Sequence, residues 1–172
     1  MKIGIFAKTF SRPTIEELFQ AIASYGIYSV QFNMSCAGLE TFPGNVSCEL
    51  VERITGAAEQ ASVELAALSG TFNMAHPNPA VRCDGLEKFE ILCEVTAQLC
   101  IPVITLCTGT RDPANMWKWH SDNDSKEAWD DLVQSIESAL VVAEKNKLIL
   151  AFEPESENVA NSAFRARKLP DE

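Results

Sequence analysis

Short apolar runs and segments with helical spacing take turns along this sequence, and that alternation leaves few folds open. The runs are Lys2–Ala7 (KIGIFA), Tyr28–Asn33 (YSVQFN), Glu64–Ser69 (ELAALS), Pro102–Cys107 with VITLC, and Leu148–Phe152. Between the first two, Thr14–Tyr25 carries Ile15, Leu18, Phe19 and Ile22 on one face of a helix. Thr14 with Glu17 fits a capping box, and Gly26 is a natural stop. Further helices are expected near Cys48–Ala61 and Asp84–Leu99. Another should be capped by Asp124, with Trp129, Leu132, Val133, Ile136, Leu140 and Ala143 on one face. Near-continuous apolar strands that alternate with helices pair in parallel and are covered on both faces.

Such a pattern fits a doubly wound open sheet or a (β/α)8 barrel. No GxGxxG follows the first run, where a dinucleotide site would place it. Polar and aromatic residues instead collect just after the strands, among them Asn33, Asn73, His76, Thr108, Arg111, Trp117, His120, Glu153 and Glu155. The connections on the other side, Tyr25-Gly26-Ile27 and Lys145-Asn146-Lys147, are short and plain. A barrel concentrates its chemistry on one face in this way. The expected fold is therefore α/β of the (β/α)8 TIM-barrel type, with residues 1–172 forming one partial barrel of five βα units. A complete barrel takes about 250 residues. After Glu153 comes a loop, then a helix-like stretch, Asn158–Leu169, which Pro170 interrupts. The expectation is a truncated frame or domain fragment without strands six to eight.

Charge narrows the partners. The formal net charge is -10, and a surface this acidic repels phosphate backbones and anionic membranes. No apolar run approaches the ~20 residues of a membrane helix, and the N-terminus lacks a long apolar stretch followed by a small-residue cleavage site. The six cysteines, Cys36, Cys48, Cys83, Cys93, Cys100 and Cys107, form no CxxC pair. They are expected to be buried reduced thiols of a cytoplasmic protein.

Three segments carry a family resemblance. Thr108-Gly109-Thr110-Arg111 with Asn115-Met116-Trp117-Lys118-Trp119-His120-Ser121-Asp122-Asn123 resembles the loop after strand four of xylose isomerase-like TIM barrels, the sugar phosphate isomerases and epimerases. Phe152-Glu153-Pro154-Glu155, followed by Asn158-Val159 and Ser162-Ala163, is similar to their strand-five motif and next helix. Thr71-Phe72-Asn73-Met74-Ala75-His76-Pro77 is similar to their strand-three ending. The resemblance implies a divalent metal (Mn2+, Mg2+, Co2+ or Zn2+), with Glu153 as both a ligand and a participant in proton transfer. It implies further ligands, an Asp, a His and a second Glu, on strands six to eight.

Each site candidate has a plainer alternative. His76 is a sugar-hydroxyl contact and acid/base group or a surface loop histidine. Trp117 and His120 stack on and bond to a sugar ring, or they belong to a lid over the barrel mouth. Arg111, in its TGTR turn, contacts a phosphate or hydroxyl or serves only the turn. Glu155 and Asn158 touch substrate or orient Glu153; Asn158 also suits a helix cap. Trp129 reads as core.

The leading expectation is a metal-assisted sugar (phosphate) isomerase or epimerase that lacks activity as this fragment, with a small sugar or sugar derivative as partner. One rival is a metal-dependent abasic-site endonuclease, which the absence of a basic stripe disfavours. The other is a non-enzymatic partial barrel that self-associates through open sheet edges.

Overall fold

The computed structural model describes residues 2–169. Five parallel strands form one sheet: β1 (Ile5–Phe6), β2 (Ser29–Phe32), β3 (Glu64–Ser69), β4 (Val103–Leu106) and β5 (Ile149–Phe152). They lie in chain order, β1-β2-β3-β4-β5, so each pairs only with its sequence neighbours. The helices between them are α1 (Ile15–Ser24), α2 (Cys48–Gln60), α3 (Pro79–Gln98) and α4 (Lys126–Lys145), with α5 (Ala163–Lys168) after β5. This is the expected partial barrel, and β1 and β5 are its two edges.

The two faces of the sheet differ. Val30 and Phe32 of β2, Leu68 of β3, and Ile104 and Leu106 of β4 are fully or almost fully buried against the helices. They pack with Phe19, Ile22 and Ile54 on one side and with Phe89, Leu132 and Ala139 on the other. The alternate residues Gln31, Val103 and Thr105 stay half-buried on the concave face. Alternation of this kind follows from the period-2 geometry of a strand. Register slips between Val30 and Gln31, whose partners on β3 are Leu65 and Ala67. The bulge re-aims the chain at Gln31, next to the site described below.

Helix starts correct the sequence reading in three places. α3 begins at Pro79, five residues before the expected Asp84, because Asn78 caps it by accepting from the Ala80 amide. A proline at the first position needs no N–H partner there. The α4 cap is Ser125, which accepts from the Ala128 amide, and Asp124 pairs with Arg165 instead. α5 is capped by Ser162, not Asn158. Pro170 lies outside the described residues. Trp129 packs partly buried against the second core cluster, as expected. All six cysteines are free, but only Cys93 and Cys107 are buried; Cys36 is half-buried, and Cys48, Cys83 and Cys100 are exposed.

The αβ connections repeat one geometry. After α1, α2, α3 and α4 the chain turns through a left-handed residue: Gly26, Ser62, Cys100 and Lys147, with φ between 55° and 74°. In the last three the next amide reaches back: Val63 to the Ala58 carbonyl, Ile101 to Thr96 and Leu148 to Ala143. These are Schellman turns, which satisfy the free carbonyls at a helix end.

Candidate active site

At the C-terminal edge of the sheet all five strands open into one cleft of about 350 Å3. β1 contributes Phe6 and Lys8, β2 Gln31 and Asn33, and β3 Ser69 and Thr71; β4 adds Cys107, and β5 Glu153 and Glu155. Trp117, from the loop after β4, forms part of the rim and is 53% exposed.

Cys107, Glu153 and Glu155 meet at the centre. Their ligand atoms, one sulfur and two carboxylate oxygens, all lie within 4.8 Å of one another. Backbone pairing brings them together. Leu106 and Phe152 are register partners, and the Glu153 amide donates to the Leu106 carbonyl at 2.8 Å. The Cys107 amide donates to the Thr71 hydroxyl at 3.2 Å. Burial pushes the Cys107 thiol up to about 11; the Thr71 hydroxyl partly offsets this, and Glu155 and Glu153 push the same way as burial. Gln31 donates to Thr105 Oγ1 at 2.5 Å and, more weakly, to Glu153 Oε1 at 3.4 Å. Among the described ion pairs neither glutamate has a cationic partner. One thiol and two carboxylates in this arrangement suit a divalent cation.

Most of the other candidates from the sequence spend their polar atoms on the loops around the cleft. His76 is buried; its Nδ1 accepts from the Asn78 amide at 3.0 Å. That contact places the ring proton on Nε2, which lies 3.2 Å from the Pro113 carbonyl. Arg111 is 7% exposed and bonds Asp131 at 2.6 Å, the Ala75 carbonyl at 3.2 Å and Glu127 at 3.3 Å. Asp131 also holds Arg82 at 2.8 Å. Asn158 is fully buried; it accepts from the Gly109 amide and donates to the Met116 carbonyl. His120 accepts from the Asp122 amide and starts a short 3-10 turn, Ser121–Asp124. Of the sequence candidates, the cleft gathers Glu153, Glu155 and Trp117, whereas His76, Arg111, His120 and Asn158 are absent from its lining.

Cys107, Thr71 and Gln31 were not singled out from the sequence. A search for CxxC spacing cannot find a cysteine whose co-ligands arrive from the neighbouring strand. The usable signal was position: Cys107 and Glu153 each follow directly on an apolar strand.

The family description matching residues 19–172 is the xylose isomerase-like TIM barrel. This chain belongs to that family. Solved structures agree on the fold. 3-Keto-D-glucoside 4-epimerase, YcjR, from E. coli superposes with a TM-score of 0.74 at 18% identity, covering 98% of this chain and 63% of that one. D-Psicose 3-epimerase with D-tagatose, from Clostridium cellulolyticum H10, gives 0.77 at 18% identity, with 99% and 59% covered. The probable 3-DHS dehydratase AsbF from Bacillus anthracis gives 0.74 at 13% identity, with 99% and 58% covered. The chain thus spans about three fifths of the length of these structures. No curated protein sequence matches it. A structure described as a putative xylose isomerase, from Rhodospirillum rubrum, shares the fold as well, with a TM-score of 0.68 at 14% identity, covering 90% of this chain and 54% of that one. No helix among the described residues is long and apolar enough to cross a membrane.

Proposed function

We propose that this chain supplies one wall and the first metal-binding carboxylate of a sugar isomerase or epimerase site, where a proton moves next to a sugar carbonyl. The pair Glu153 and Glu155 carries this reading: two carboxylates at the end of β5, without a cationic partner among the described ion pairs, bordering an open cleft. Side-by-side carboxylates repel one another until a cation or a proton intervenes. Oxygen donors of this kind hold Mn2+, Mg2+, Co2+ or Zn2+. A bound ion supplies polarisation of the carbonyl and the adjacent hydroxyl oxygens.

The chain's own residues then divide the work. Glu153, steadied by the Gln31 amide at 3.4 Å, takes the proton from the carbon beside the carbonyl. Glu155 touches substrate hydroxyls or completes the metal site. Trp117 offers an exposed aromatic face to the sugar ring. Asn158 acts through the loop, since it fixes Met116, the residue before Trp117. His76 and Arg111 position the same loop from behind. The partner is a small sugar or sugar derivative met in the cytoplasm.

Solvent-proton exchange tests the reading. The purified chain is incubated with Mn2+, Co2+ or Zn2+ in turn and a panel of ketoses in deuterium oxide. Deuterium is expected at the carbon next to the carbonyl, and Glu153→Gln should abolish it. Absence of exchange with every ketose, although metal is bound, would refute the assignment.

A further inference from the structure

We infer that the centre is thiolate-bearing: Cys107 joins Glu153 and Glu155 as a third ligand, which makes this a site for zinc-class ions rather than for magnesium or manganese. The inference rests on the metal reading above and narrows it.

Geometry comes first. Cys107 continues β4 as Glu153 continues β5, and the pairing of Leu106 with Phe152 makes them cross-strand neighbours. Side chains so placed face one another on the same side of a sheet. The Glu153 amide bond to Leu106 and the Cys107 amide bond to Thr71 fix both backbones. The two side chains therefore meet through the sheet itself rather than through a mobile loop.

The state of the groups points the same way. Cys107 is 3% exposed, yet it lines the cleft, and its sulfur lies within 4.8 Å of both carboxylates. Among the described hydrogen bonds its thiol donates to no acceptor, and the Thr71 hydroxyl that accepts from its amide lies beside it. The Glu155 carboxylate has no hydrogen-bond partner there either, and the Glu153 carboxylate has one long contact, from Gln31. A nine-tenths buried thiol aimed at two unpaired carboxylates lacks one thing, a cation.

Ligand chemistry then selects the ion. Magnesium and manganese favour oxygen donors, whereas thiolates favour zinc and other soft or borderline ions. Zinc holds its ligands at about 2.0–2.3 Å, so donors within 4.8 Å close on it by side-chain rotation. Binding transfers the thiol proton to solvent, with no change of oxidation state. These three donors approach from the sheet and leave the side of the ion that faces the cleft free for another ligand.

The test titrates the 172-residue chain with Zn2+, Cd2+, Co2+ and Mn2+ in the absence of sugar, by calorimetry and by absorption. The expected result is a sulfur-to-cobalt charge-transfer band with Co2+ that Cys107→Ser removes. The same substitution should weaken Zn2+ and Cd2+ by about tenfold or more while leaving Mn2+ little changed. Circular dichroism of Cys107→Ser and a parallel Glu155→Gln variant separate ligand loss from misfolding. A cobalt spectrum unaltered by Cys107→Ser, or equal losses for Zn2+ and Mn2+, would overturn the inference. If Glu153→Gln still removes the metal in that case, the carboxylate site survives without the thiolate. Deuterium exchange that fails while the cobalt band is present sinks the sugar reading and spares this one.

Discussion

The two ends of the sheet are built by different rules. At the αβ end four turns share one geometry, each with a left-handed residue two positions after its helix. At the βα end the loops are held by buried or half-buried polar side chains: Asn73 to Thr110, Asn123 to Thr110 and Arg111, Asn158 to Gly109 and Met116. The plain end closes helices onto strands with backbone alone. The irregular end uses specific side chains and so can carry a specific cleft. Barrel folds separate stability from chemistry in this manner.

Substitutions at the irregular end should have the larger effects. Asp131→Ala heads the series, because it leaves two largely buried guanidinium groups, Arg82 and Arg111, without their shared carboxylate. A loss of about 3–4 kcal/mol is expected in urea unfolding. A loss below ~1 kcal/mol would show that the network is not a structural unit. Gly109→Ala should follow at about 2–3 kcal/mol, since φ is 77° and a Cβ there would sit 2.1 Å from Asn73 Oδ1. Thermal melts of Gly109→Ala beside an Asn73→Ala variant would separate backbone strain from the clash.

Acid should act at the same end. Lys118 beside Asp112, with the Ala114 and Asn115 amides, lowers its carboxyl from 3.8 to about 2. A depressed pKa contributes stability that is fully present above pH 3.8 and is lost as pH falls through about 2. The drop in Tm over that window should therefore be smaller in Asp112→Asn, and an identical drop in both proteins would remove Asp112 from the account. The smallest effect belongs to the plain end. Lys147→Gly should stabilise by about 0.5–1 kcal/mol, because glycine adopts the left-handed turn without the Cβ penalty. If it destabilises, the exposed lysine contributes more than its backbone shape suggests.

Much of this division was legible in the sequence. Strand and helix periodicity placed all five strands, and the short αβ connections marked the plain end. Turn chemistry was harder to read. Ser62, Cys100 and Lys147 stand where glycine is usual, so the repeat of Gly26 was invisible as letters. The site was half legible. Glu153, Glu155 and Trp117 reach the cleft, whereas His76 and Arg111 sit in loops of the expected composition and spend their polar atoms on the chain itself. Which way a loop side chain turns depends on partners far along the chain, such as Asp131 for Arg111, and spacing does not report that. Cys107 was missed for the same reason, since its significance comes from the strand beside it.

The chain-order sheet also has a kinetic meaning. Because every strand after β1 finds a partner already made, each βα unit can dock onto the preceding one as it leaves the ribosome. Folding can then run from the N-terminus in step with synthesis. The cleft gains a side chain from each strand in turn, and the two carboxylates come onto a wall that β1 to β4 have already built.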